Sequence, residues 1–237
     1  MQSTELDPTL SQTLSDAGKT GLKLVIANKN YSSWSMRPWL VLSAFGIPFE
    51  EIRVLLDQPD TSMRIAQHSA AGKVPVLIAG ETTVWDSLAI CEYLAEQFPD
   101  KGMWPHNVAA RAMARSICAE MHSGFGELRS AMPMNIRARF PGKGRTPGAQ
   151  NDIARICEIW ENCLERFGRH QFLFGEFSIA DAYFAPVVMR FRTYGVWLPP
   201  VLQAYVDRVV AYPAVAQWIS EAVAEPERID KYEIYPE

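Results

Sequence analysis

The chain has 237 residues, a length that suits one large domain or two small ones. Apolar residues make up 48% of it, enough for a sizeable core, and charged residues 21%, ordinary for a globular protein. The formal net charge is −4 and no lysine- or arginine-rich run occurs, which argues against a general nucleic-acid or anionic-membrane binder. The four cysteines (Cys91, Cys118, Cys157 and Cys163) sit in helix-like segments without a CxxC pair, so free thiols in a reducing cytoplasm are expected. No uncharged run is long enough to span a bilayer. Residues 1–21 are polar, lack the positive start and apolar centre of a secretion signal, and are expected to form a disordered tail.

In chain order, Lys23–Ala27 (KLVIA) is a short β-rich run, followed by the turn-like Asn28–Ser33. A helix fits Ser35–Phe45, with Pro38 in its first turn and Gly46 just past its end. Phe49–Leu56 has strand character, and Asp57–Gly72 is polar and irregular. Two short apolar runs around Gly80-Glu81-Thr82 predict a β-hairpin over residues 73–85. Positions 90, 91, 94 and 98 then follow helical spacing, with Ser87 as the expected N-cap and Pro99 as the stop. Residues 100–107 (DKGMWPHN) have the composition of a linker, and beyond them strand signals disappear. Helical patterns fit about 108–131, 149–167, 179–194, 200–211 and 213–224, with Ile153, Ile156, Trp160, Leu164 and Phe167 on one apolar stripe. The predicted architecture is a small α/β unit over 22–99 and an all-helical domain over 108–237.

Three places could carry chemistry. The stretch Asn30–Leu40 (NYSSWSMRPWL) puts Ser32, Ser33 and Ser35 at the start of the first helix. Serines there can simply cap the helix. Equally, the free N–H groups and positive dipole end favour an anion, including a thiolate. Val74-Pro75 opens a strand, where proline is tolerated; an ordinary trans bond is the base-rate expectation, whereas a cis bond would expose the Val74 amide and carbonyl to an extended ligand. Asp86-Ser87 can be a plain cap, or Ser87 and the first-turn N–H groups can take a ligand carboxylate while Asp86 holds an ammonium. The histidines at 68, 106, 122 and 170 are scattered, no metal-ligating spacing occurs, and His122 reads as a partly buried helix residue. Neither a P-loop nor a GxSxG elbow is present.

Together these pieces resemble the cytosolic glutathione S-transferases, over about residues 22–225. Gly72–Leu77 (GKVPVL) is similar to the family's cis-proline segment, and Trp85–Leu94 (WDSLAICEYL) to its acidic-Ser-x-A-I motif. Phe177–Asp181 (FSIAD) resembles the buried cap of the second domain, with Ser178 capping and Asp181 at the third helical position. The Ser-Ser pair ahead of Arg37 looks most like the zeta class, with Trp34 where that class carries a cysteine.

The resemblance implies a thioredoxin-like N-terminal domain, an all-α C-terminal domain and a homodimer. It implies that Ser32 meets the glutathione sulfur, with Ser33 second and Tyr31 third. Val74, preceding a cis Pro75, would pair with the cysteinyl backbone, Asp86 and Ser87 with the γ-glutamyl end, and Lys73 with the glycyl carboxylate, His68 being a weaker candidate. Met121, Phe125, Met132, Met134 and Arg137 are candidate walls for a small electrophile, each equally explicable by helix packing. The implied function is a cytoplasmic glutathione transferase of the detoxification type, with glutathione as co-substrate and no metal, nucleic-acid or membrane partner. Alternatives are a glutathione-dependent cis–trans isomerase of a small unsaturated diacid, to which Arg37, Arg115, Arg137 and Arg139 could contribute charge, and a non-catalytic glutathione-binding protein.

Overall fold

The computed structural model describes residues 21–168 and 171–235. The expected tail therefore lies, Gly21 apart, outside the described residues. Four short strands form one sheet: β1 (Leu22–Ile26), β2 (Glu50–Arg53), β3 (Val76–Ala79) and β4 (Thr82–Trp85), in the order β2-β1-β3-β4. β2 runs parallel to β1, while β3 is antiparallel to both β1 and β4. Side chains alternate along β1, so Leu24 and Ile26 face one side and Val25 the other. The first side is covered by α1 (Ser33–Ala44), which also packs on α3 (Ser87–Gln97). The second carries Ile65 of α2 (Thr61–Ala66), a helix inside the segment 57–72 that had been expected to be irregular. Fewer than two turns with a single buried residue give almost no periodic signal, which is why α2 is silent in the sequence.

Beyond the sheet, and apart from isolated bridges over 172–176, the elements are helices: α4 (Val108–Ser123), α5 (Gly126–Ala131), α6 (Pro147–Cys163), α7 (Ile179–Tyr194), α8 (Pro200–Ala211) and α9 (Pro213–Ala224). The predicted helix 108–131 is thus two helices, because Phe125 adopts a positive φ of 58° and turns the chain at Gly124. Burying the Phe125 ring in the core compensates a backbone conformation that L-residues rarely adopt. After α6 the chain winds more widely through Leu164–Gly168, so Phe167 leaves the stripe and meets Phe174 instead. α7 is the central strut, buried along almost its whole length and packed against α1. Its start is the capping box anticipated above: Ser178 Oγ accepts from Ala180 N–H, and Asp181 accepts from Ser178 N–H at 2.9 Å. Among the described residues no helix is long and apolar enough to cross a membrane.

Candidate functional site

A cleft of about 940 Å³ opens where the start of α1, the loop before β3 and the start of α3 meet α4, α5 and α7. Ser32, Ser33, Lys73, Val74, Pro75, Asp86 and Ser87 all line it, although the three segments are separate in sequence. The Val74-Pro75 peptide bond is cis.

At the start of α1, Ser32 is the N-cap. Its Oγ accepts from Ser35 N–H at 3.4 Å and donates to Ser35 Oγ at 2.8 Å, and Ser35 Oγ accepts from Ala27 N–H at 3.1 Å. The two serines thereby tie the helix start to the end of β1, with the cap on Ser32. Ser33, the first helical residue, is also buried, and its Oγ accepts from Arg190 Nη2 at 3.3 Å. No acidic residue lies in the first turn of α1.

The Tyr31 ring forms part of the cleft wall, but its hydroxyl faces away. It donates to Glu233 and accepts from Arg137 and from Ile229 N–H, while the ring stacks on Tyr232 at 5.5 Å. Burial and the Glu233 bond raise the pKa of this phenol. The geometry therefore removes Tyr31 as a partner for a ligand sulfur.

The start of α3 differs from expectation in one respect. Asp86, not Ser87, is the N-cap: its carboxylate accepts from Leu88 N–H at 2.9 Å, and the residue sits at φ 75°. A positive φ on an aspartate costs roughly 1–3 kcal/mol. It aims the second carboxylate oxygen at His122 Nε2, 3.2 Å away on α4. Ser87 is the first helical residue, and its hydroxyl pairs with Tyr183 Oη at 2.9 Å.

The walls differ more. Met134 lines the cleft as expected, but Met121, Phe125 and Met132 are core residues. Arg137 lies on a separate groove and is held by the backbone carbonyls of Glu225 and Glu227. His68 is not among the lining residues. In their place stand Trp34, His122, Arg129 and Arg190, with Pro133 and Tyr232. A signal for Arg190 was present: it interrupts the otherwise apolar run Ala182–Phe191. Trp34 gathers the others, its ring 4.3 Å from the Arg37 guanidinium, 5.4 Å from that of Arg129 and edge-on to His122 at 5.2 Å.

None of the four cysteines lines the cleft. Burial raises the pKa of all four cysteines, Cys157 to about 11 and Cys163 to about 12. Among the described residues no cluster of His, Cys, Asp or Glu is placed to hold a metal ion. The cleft thus offers hydroxyls, cations and a helix N-terminus to an anion brought from outside.

Comparison with known families matches residues 31–97 to the glutathione S-transferase N-terminal domain and residues 119–221 to its C-terminal domain. The chain belongs to the glutathione S-transferase family. Among relatives of this glutathione S-transferase, glutathione S-transferase 1 of Dianthus caryophyllus is 25% identical over 195 residues, covering 80% of this chain and 88% of the relative. A maleylacetoacetate isomerase of Rattus norvegicus is 27% identical over 173 residues, covering 71% and 78%. In three dimensions a glutathione transferase homologue from Burkholderia, crystallised with bound glutathione, superposes with a TM-score of 0.66 at 26% identity, over 85% of this chain and 98% of that one. The transferase fold, a thioredoxin-like unit followed by helices, agrees with the architecture expected from the sequence.

Proposed function

We propose that the cleft binds glutathione and presents its sulfur to the serine hydroxyls at the start of α1, for attack on a small electrophile held beside Trp34, Arg129 and Met134. The observation that carries this reading is the convergence of Ser32-Ser33, Lys73-Val74-Pro75 and Asp86-Ser87 on one cleft. A free thiol has a pKa of about 8.5, so little thiolate exists near neutrality. A hydroxyl donor and the positive end of α1 favour the charged form. Ionisation releases the thiol proton to water. The sulfur lone pair then forms the C–S bond, and the leaving group departs with the electrons of the bond that breaks.

In this reading Asp86 takes the γ-glutamyl ammonium, in competition with His122, and Lys73 at the exposed lip takes the glycyl carboxylate. The domain boundary lies in residues 100–107, and the protein is a cytoplasmic homodimer acting in detoxification. Conjugation of a chromogenic aryl halide, assayed with and without glutathione, tests the activity. Turnover that requires glutathione and falls in Ser32→Ala or Ser33→Ala supports the reading; turnover indifferent to both substitutions contradicts it. Sedimentation at micromolar concentration tests the dimer.

A second reading has its own support. Arg129, Arg190 and Lys73 give the cleft cationic character, and the maleylacetoacetate isomerase of Rattus norvegicus is among the relatives. Glutathione would then add to an unsaturated diacid and leave again, isomerising the double bond. Turnover of such a diacid without net loss of glutathione separates this reaction from conjugation. Failure to bind glutathione at millimolar concentration would leave only a non-catalytic role for the fold.

A further inference from the structure

Arg190 is buried in α7, with 4% of its surface exposed. Its guanidinium has three partners, none of them an anion. Nε donates to the Met132 carbonyl at 2.9 Å, Nη1 to the Pro186 carbonyl at 3.2 Å, and Nη2 to Ser33 Oγ at 3.3 Å. Arg37 lies nearby, 1% exposed, between the rings of Trp34 and Tyr183, and its Nε and Nη1 find no hydrogen-bond partner. Arg129 stands on the cleft wall above them. Burying a cation without a counter-ion is costly, and proteins ordinarily supply one. Here burial, then Arg37 and Arg129, push the pKa of Arg190 down to about 9. The arrangement is out of electrostatic balance until an anion enters the cleft.

We infer that Arg190 is a positioning residue for glutathione activation: by donating to the Ser33 oxygen it leaves the Ser33 O–H free to point into the cleft and makes it the stronger donor to the glutathione sulfur. This rests on the glutathione reading above. A hydroxyl oxygen that accepts from a cation is polarised, and donors arranged in series strengthen one another. Among the described residues Ser33 Oγ bonds only to Arg190, so its proton has no acceptor within the protein. The Ser32 proton, by contrast, is directed to Ser35 Oγ within the cap. Ser33 and Arg190 both keep their protons throughout; the thiol proton goes to water, and the sulfur retains its electron pair. The inference assigns the sulfur contact to Ser33 rather than to its neighbour.

The test reads the ultraviolet absorbance of the thiolate in enzyme saturated with glutathione, as a function of pH. The charged and titratable groups that face the pair are Arg37, Arg129 and Tyr194 beside Arg190, with His122, Asp86 and Lys73 in the cleft wall. In Arg190→Met the pKa of bound glutathione is expected to rise by about one unit, so about tenfold less thiolate forms at pH values well below it. Arg190→Lys, which keeps the charge, should recover much of the shift. Ser33→Ala should give the same rise, and adding Arg190→Met to Ser33→Ala should add little. Two results overturn the inference: an unmoved titration in an Arg190→Met protein that still binds glutathione, or fully additive shifts, which would mean that Arg190 acts on the sulfur directly. Should Arg190→Met fail to fold, an unmoved titration in Ser33→Ala is decisive against it. Calorimetry on the wild type keeps the two levels apart, since absence of glutathione binding there removes the underlying reading and this inference with it.

Discussion

Among the described residues two helices start at a capping serine, and their surroundings differ in charge. At the start of α7, Ser178 is followed in the first turn by Asp181, whose carboxylate accepts from Ser178 N–H and Oγ, Leu173 N–H and Tyr205 Oη. At the start of α1, Ser32 caps, no acid lies in the first helical turn, and the charged group on Ser33 is Arg190, while the Glu225 carboxylate takes the Lys29 and Asn30 N–H groups ahead of the cap. One N-terminus carries its anion in the sequence and is closed. The other has hydroxyls and cations facing a cleft. Helix N-termini favour negative charge in both cases; what separates a structural cap from a ligand site is whether the chain itself provides the charge.

The largest expected effect comes from removing the built-in anion. Asp181→Ala leaves four buried donors without an acceptor and should cost about 4 kcal/mol or more, read as a drop in the urea midpoint. Activity per folded molecule should be retained, because Asp181 does not line the cleft. A smaller effect is expected from titrating the same group. Burial raises the Asp181 pKa from 3.8 to about 6, against the opposing pull of its four hydrogen bonds. A carboxyl raised in the folded state contributes stability that is fully present below its unfolded pKa and lost as pH rises through the folded one. Stability should therefore fall by roughly 3 kcal/mol between about pH 4 and pH 6, a slope that Asp181→Asn should lack in urea titrations across that range.

At the open N-terminus the effects should move from stability to rate. Ser33→Ala is expected to lower kcat/KM for conjugation by about tenfold or more, equivalent to roughly 1.4 kcal/mol, with little change in thermal midpoint. The smallest effect is Ser32→Ala, which removes the cap and should cost about 1 kcal/mol in denaturant unfolding. A protein in which Ser32→Ala is as damaging to rate as Ser33→Ala would blur the distinction between cap and donor.

The closed N-terminus was readable from sequence because its capping pair is local: Ser178 and Asp181 stand three residues apart, and the helix they open ends at Gly195. α8 and α9 were equally plain, each opened by a proline at its first position. The cleft was only half readable. Its floor comes from motifs with fixed local spacing, and Ser32, Ser33, Val74, Pro75, Asp86 and Ser87 were all visible. Its walls depend on which face each helix turns inward, and no local pattern states that. Met121 and Phe125 sit on α4 and at its end, yet they face the core, while His122, one residue along, faces Asp86. The positive φ of Phe125 swings α5 and with it Arg129 onto the wall. The pairing of Arg190 with Ser33 spans 157 positions and follows only from the packing of α7 on α1.

In the proposed function, the anion absent from the start of α1 is the sulfur of glutathione. The most direct measurement is a calorimetric titration of the purified protein with glutathione near neutral pH, repeated with S-methylglutathione, which cannot form a thiolate. Saturable binding of glutathione in the micromolar to low-millimolar range is expected, with weaker binding of the methylated form and proton release for glutathione alone. Equal binding of both forms without proton release, or no binding of either, would contradict it.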